Sequence, residues 1–111
     1  MSTIFAKIIK GEVKADKVYE DDDILAIKDI APAAPVHLLI IPKKEIKSLQ
    51  VVKKEDLPLI SKVIVVAQKL AKEFGIEEGY RLLTNVGPES GQSIFHLHFH
   101  LIGGHNLGHI G

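Results

Sequence analysis

The stretch that most constrains this chain runs from Phe95 to Ile102, where apolar residues and histidines alternate without a break. Phe95, Leu97, Phe99 and Leu101 fall at one parity, and His96, His98 and His100 at the other. Successive side chains of a strand point to opposite faces, so strict period 2 with bulky apolar residues on one side predicts a half-buried β-strand. The strand is expected to pack one face into a core and to show a row of imidazoles on the other. Half of the chain's six histidines sit on this element.

Two chemistries suit such a row. One is a metal site, since neutral imidazole is a common zinc ligand. A strand rises about 3.3 Å per residue, so the backbones of His96 and His100 would stand roughly 13 Å apart. Zinc ligands lie about 2.0–2.1 Å from the ion, so two neighbours can share one but hardly all three. The chain has no cysteine, and Gly91-Gln92-Ser93 just before the row is poor ligand material. No metal and no cofactor are therefore expected. The other chemistry, which we favour, is nucleophilic catalysis: one imidazole attacks while its neighbours position charge.

A length of 111 residues fits one domain, numbered 1–111, large enough to bury about two-thirds of its unfolded surface. Lys+Arg and Asp+Glu each total 14, so charge gives no reason to expect nucleic acid or a membrane as partner. The absence of cysteine fits a reducing compartment. There is no signal-like N-terminal pattern and no apolar run of about 18 residues, so a cytoplasmic protein is expected.

Ser2 is placed to cap a short helix carrying Ile4, Phe5, Ile8 and Ile9 on one face and ended by Gly11. Val18–Glu20, the turn Asp21-Asp22-Asp23 and Ile24–Lys28 predict a hairpin, with the aspartates bonding their own backbone. Asp29 to Pro35 holds two prolines and reads as a stiff, extended connection. Val36–Ile41 is a nearly all-apolar interior strand in which His37 is the odd residue, a candidate neighbour for the histidine row. The lysines of residues 43–54 read as a solvated face.

Leu57, Ile60, Ile64, Ala67, Ala71 and Phe74 step by three and four, predicting a long amphipathic helix. Asp56 is placed to cap its start, Pro58 lies in the first turn and Gly75 stops it. Tyr80–Val86 predicts a further strand carrying Arg81, the only arginine, and residues 87–91 a loop leading into the histidine strand. The tail from Gly103 holds four glycines in nine residues, with His105 and His109 read as solvated. The pattern is α+β: a largely antiparallel sheet, a short helix, and one major helix expected between the fourth and fifth strands. The glycine of Gly91-Gln92-Ser93 lets backbone N–H groups approach a ligand closely, so a loop there can cradle a phosphoryl group beside the imidazoles.

His96-Leu97-His98-Phe99-His100-Leu101-Ile102 resembles the three alternating histidines, followed by two apolar residues, of the histidine-triad (HIT) superfamily. The flanking Gly91-Gln92-Ser93 and Gly103-Gly104 resemble its histidine-triad nucleotide-binding (HINT) branch, and the likeness extends over about residues 3–104, the core of the domain. The resemblance implies a five-stranded, largely antiparallel sheet with one long and one short helix, a homodimer, and a purine nucleotide as ligand. It implies that His98 attacks the α-phosphorus and forms a covalent nucleotidyl-histidine that water then hydrolyses. His100 and Gly91, Gln92 and Ser93 would hold the phosphoryl oxygens, Ser93 would assist the leaving group, and His96 and His37 would orient their neighbours. Asn85 matches a phosphate-side amide, Asp29 the carboxylate that takes the ribose hydroxyls, and Ile8, Ile27, Ile30 and Leu39 the walls around the base.

The implied reaction is cleavage of a nucleoside phosphoramidate to a nucleoside monophosphate and an amine. A dinucleoside polyphosphate hydrolase on the same machinery is the closest rival, and a metal-binding or interaction module the alternative from another class. His100 stands where the nucleotidyltransferase branch has glutamine, which argues against that branch. The chain also lacks the tryptophan found near the end of some HINT members, leaving the leaving group open.

Overall fold

The structure is a computed structural model that describes residues 2–109; Met1 lies outside the described residues, as do Ile110 and Gly111 at the end of the predicted tail. In chain order the elements are α1 (Ile4–Ile9), β1 (Lys17–Glu20), β2 (Ile24–Lys28), β3 (Val36–Pro42), α2 (Leu57–Glu73), β4 (Tyr80–Leu83) and β5 (Phe99–Gly103). The strands form one sheet in the order β1-β2-β3-β5-β4, every neighbouring pair antiparallel. The long helix therefore lies between the third and fourth strands of the chain, not the fourth and fifth. No helix among the described residues is long and apolar enough to cross a membrane.

Alternation along the three central strands separates two apolar layers. Ile24 and Ala26 of β2, Leu38 and Ile40 of β3, and Phe99 and Leu101 of β5 pack with Val63, Val66, Ala67, Leu70 and Ala71 of α2. The intervening Leu25, Ile27, Leu39 and Ile41 pack with Phe5 and Ile8 of α1 on the opposite face. A strand buried on both faces needs apolar residues at every position, which is why β2 and β3 read as continuous apolar runs. The six-residue α1 covers only part of its face.

Several local readings shift. Thr3 rather than Ser2 caps α1, its hydroxyl accepting the Ala6 N–H at 3.1 Å. Ile4 points outward at 42% exposure. The Asp21 carboxylate accepts from the N–H groups of Asp23 and Ile24, as expected of an acidic turn that bonds its own backbone. In α2 the buried stripe runs through Val63, Val66, Ala67, Leu70 and Ala71, while Leu57 and Ile64 are exposed. The predicted stripe was rotated because apolar residues surround the first turns of this helix and do not single out one face. The Asp56 carboxylate reaches back to the Lys53 N–H and the Lys44 ammonium instead of capping α2.

The largest departure lies in the histidine stretch. Strand pairing begins only at Phe99, opposite Ile40. Leu97, Phe99 and Leu101 enter the core as expected, but Phe95 stays 40% exposed and His96 is 2% exposed. Ahead of Phe99 the backbone bonds a loop, with the Leu97 N–H donating to Ile46 O at 2.6 Å, and the alternation of sides ends there.

Candidate active site

The uncovered part of the α1 face holds His37, His98 and His100. His37 pairs with Ile102 and Leu39 with His100 across β3 and β5, so the two histidines are diagonal neighbours on one face. His37 Nε2 and His100 Nδ1 are 2.9 Å apart. The rings of His98 and His100 follow, with centroids 5.2 Å apart. His98 also meets the Phe5 ring edge-on, at 4.8 Å. His98 and His100 border a cavity of about 380 Å³, together with Asp29, Asn85, Gly91 and Ser93. Ile8, Ile27, Ile30 and Leu39 form its apolar wall, and Ile30 stands fully exposed at the mouth.

Backbone groups fix the protons of these rings. The Ala33 N–H donates to His37 Nδ1 at 2.9 Å, so the neutral His37 ring carries its proton on Nε2. That N–H points at His100 Nδ1, with a carboxylate oxygen of Asp29 at 3.3 Å from the same nitrogen. His100 thus accepts at Nδ1 and keeps its own proton on Nε2. In His98 the order is reversed: Nδ1–H donates to the His96 carbonyl at 2.7 Å, leaving the Nε2 lone pair bare. His96 in turn donates Nε2–H to the Pro42 carbonyl at 2.7 Å, while its buried Nδ1 has no partner among the described residues. A bare lone pair therefore stands beside an N–H donor, which is what attack on a phosphoryl centre with a stabilised oxygen requires.

Burial holds both cavity imidazoles neutral. Desolvation lowers the pKa of His98, with His96 adding to the effect against its own hydrogen bond and Asp29. Desolvation also lowers His100, to about 4, reinforced by His98 and His37.

Asp29, His37 and His100 offer ligand atoms within 4.8 Å of one another, a spacing compatible with a metal ion. Their hydrogen bonds do not favour one. The Nδ1 lone pair of His37 is engaged by Ala33 and that of His100 by His37, so a cation would have to break the relay to find a ligand.

His96 and Gln92 do not border the cavity. Gln92 is buried and holds the loop together, accepting from the Gly87 N–H and donating to the carbonyls of Lys47 and Ile94. The Gly91 and Gln92 N–H groups donate to Pro88 and Gly87 within the loop, so Ser93 is the loop residue whose donors have no partner among the described residues. Asp29 also accepts the Ala31 N–H at 2.8 Å, the ordinary turn bond of an aspartate at that position, which engages one oxygen and leaves the other toward His37. His105 and His109 are exposed. The sequence reading missed Phe5 and Ile94 as cavity residues, and Thr84, whose hydroxyl donates to the His98 carbonyl at 2.7 Å. Phe5 had a signal, its helical spacing with Ile8; Thr84 had none.

Residues 10–107 match the HIT domain family. A HIT-like protein of Chlamydia muridarum is 54% identical over 110 residues, covering 99% of this chain and 87% of that protein. A HIT family hydrolase from Clostridium thermocellum superposes with a TM-score of 0.94 at 44% identity, over 98% of this chain and 96% of that one. The histidine triad nucleotide-binding protein of Candida albicans gives 0.82 at 36% identity, over 90% and 73%.

The lowered values fix a pH dependence. An unfolded histidine titrates near 6.5, so below that pH the unfolded chain binds protons that folded His98 and His100 refuse. Stability from these groups is present above about pH 6.5 and is lost as pH falls toward the folded His100 value of about 4. Ring-nitrogen NMR should show His98 protonated at Nδ1 only and His100 at Nε2 only at pH 7, with His100 remaining neutral at pH 5. A His100 ring already doubly protonated at pH 6 would contradict the assignment.

Proposed function

The chain belongs to the HIT domain family, and from that premise we propose that it hydrolyses purine nucleoside phosphoramidates at the P–N bond through a nucleotidyl-His98 intermediate. The observation that carries this reading is the bare Nε2 of His98, fixed by the His96 carbonyl and set beside the His100 donor. The base would lie against Ile8, Ile27, Ile30 and Leu39, the ribose hydroxyls against Asp29, and the α-phosphate between His98, His100, Asn85 and Ser93, with Gly91 beside it. The His98 lone pair forms the new N–P bond while the P–N bond of the substrate breaks. The departing electron pair leaves with the amine nitrogen, which takes a proton relayed from solvent through Ser93. Water then attacks phosphorus, the His98–P bond returns its electron pair to Nε2, and the water proton passes to solvent. A neutral imidazole needs no outside base for the first step.

Over polyphosphate cleavage, the amine reading is supported by where the cations stand. Among the described residues, Lys14 and Lys28 are the only lysines or arginines on the cavity wall. They belong to the Asp29 end, since the Lys28 N–H bonds Asp16 O. A polyphosphate leaving group would bring several negative charges to the histidine end, where the cavity wall carries no lysine or arginine among the described residues; an amine brings none. A homodimer is part of the proposal as well. The outer edge of β4 has no partner strand, and Ile64 and Val65 of α2 are 48% and 62% exposed, features that a second copy can cover.

Three outcomes test these points. His98→Ala should lose about four or more decades of turnover. Wild-type protein quenched with an adenosine phosphoramidate should gain the mass of an adenylyl group; turnover within tenfold of wild type in the variant would remove His98 from the nucleophile's role. Sedimentation at micromolar concentration should give twice the chain mass, and a monomer would reject the dimer.

The Asp29 assignment is tested by sugar preference. Charged hydrogen bonds are worth roughly 1.5–3 kcal/mol, so loss of a ribose hydroxyl should cost about tenfold or more. Wild type should favour ribo- over 2′-deoxyribonucleotide substrates in kcat/KM by that factor, and Asp29→Ala should erase most of the preference. An unchanged ratio would leave Asp29 as a turn residue and a neighbour of His37 only.

A further inference from the structure

The pairing of β4 with β5 ends at Leu83 and His100, which face one another across the two strands. One further step would set Thr84 opposite Phe99, but β4 stops at Leu83. There a side chain takes over from the main chain. The Thr84 hydroxyl donates to the His98 carbonyl at 2.7 Å, the ordinary length of a well-formed O–H···O bond. Thr84 itself does not border the cavity, but Asn85, the next residue, and His98 both do. One hydroxyl thus ties the backbone that carries Asn85 to the backbone that carries His98.

The other anchors near His98 act elsewhere. Ahead of it, Gln92 Nε2 holds the Ile94 carbonyl, the His96 ring grips Pro42 O, and the Leu97 N–H donates to Ile46 O. Beyond it, Phe99 pairs with Ile40 of β3. None of these reaches β4, and none acts on a group of His98. The ring of His98 is aimed by its Nδ1–H, which donates to the carbonyl two residues earlier. The His98 carbonyl belongs to the following peptide, so a donor fixed on it sets ψ of His98. Ring and peptide are then held from opposite sides, and the residue keeps little freedom to swing.

We infer that Thr84 is a positioning residue: its hydroxyl holds the His98 peptide to β4, so that the bare Nε2 stays aimed into the cavity in fixed register with Asn85. The inference rests on the reading of His98 as nucleophile and deepens it. Reacting groups need to be held within roughly 0.5 Å of the productive geometry. A misplacement of about 1 Å costs up to about a hundredfold in rate. A hydroxyl that acts on aim alone shows in kcat and leaves KM in place, because the ground-state contacts of the ligand are untouched. A threonine that only fills space shows in stability, and its methyl matters more than its hydroxyl.

Two substitutions separate these roles. Thr84→Val keeps the shape and removes the donor; Thr84→Ser keeps the donor and removes the methyl. With adenosine 5′-phosphoramidate, Thr84→Val should lower kcat about tenfold or more with KM within about twofold, and Thr84→Ser should stay within about threefold of wild type. A second readout needs no turnover: the exchange of ring N–H protons with water, followed by NMR. In Thr84→Val the His98 Nδ1–H should exchange about tenfold faster, the scale of one lost hydrogen bond, while the His96 Nε2–H keeps its wild-type rate. In Thr84→Ser both protons should behave as in wild type. A Thr84→Val protein with unchanged kcat and unchanged His98 exchange overturns the inference. So does a Thr84→Ser protein as impaired as Thr84→Val, or an equal acceleration of both ring protons, which marks general loosening. If wild type fails to cleave the phosphoramidate, the phosphoramidase reading falls, and the exchange comparison alone decides whether Thr84 holds His98.

Discussion

One constraint governs the molecule: β2 and β3 carry apolar residues at both parities, yet the two faces of the sheet are covered by helices of very different length. The 17-residue α2 seals one face. The six-residue α1 covers Leu25, Ile27, Leu39 and Ile41 on the other and only the edge of the histidine row beyond them. Whatever side chains continue that second layer must line a cavity instead of a core. His100 on β5, His98 just before it and Asp29 just after β2 do so, with His37 on β3 bonded behind His100. The site is thus the unfinished part of a hydrophobic layer, which explains why its imidazoles are desolvated and why its walls are aliphatic.

Within that space the backbone decides where protons sit. Ala33 supplies a donor to His37, and His96 supplies an acceptor to His98. These two bonds run in opposite senses, so the pair of rings facing the cavity present one lone pair and one N–H. Had both rings been bonded in the same sense, the site would hold two acceptors or two donors, and neither arrangement both attacks a phosphorus and steadies its oxygen. The polarity comes from main-chain groups whose positions follow from the prolines around Ala33 and from the loop before β5.

Much of this was legible in the chain. The hairpin, β3 and the existence of α2 follow from periodicity and turn chemistry, and the shared face of His98 and His100 follows from parity. Three things did not. Alternation says which side a residue takes but not where the ladder stops, and pairing stops at Phe99, which puts Phe95 outside and His96 inside. The first turns of α2 are apolar nearly all round, so the 3.6-residue period fits more than one face. The role of Gln92 as a loop clamp was hidden because a glutamine beside a glycine reads equally well as ligand contact or scaffold; only its three hydrogen bonds decide.

His96 shows how the two kinds of information join. It shares its parity with His98 and His100, yet it does not border their cavity. Its buried Nδ1 has no partner among the described residues, a desolvation penalty of about 1–3 kcal/mol. What the residue secures is geometry: Nε2–H clamps Pro42 at the end of β3, and the carbonyl of the same residue takes the Nδ1–H of His98. The His96 peptide is thereby tied to the sheet through a side chain and to the His98 ring through an oxygen. An apolar residue in its place would spare the unpaired nitrogen but leave the Pro42 carbonyl without its donor and the peptide before His98 free to turn. The three histidines of this stretch are then two rings on the cavity and one anchor, distinguished by the point at which a strand stops pairing.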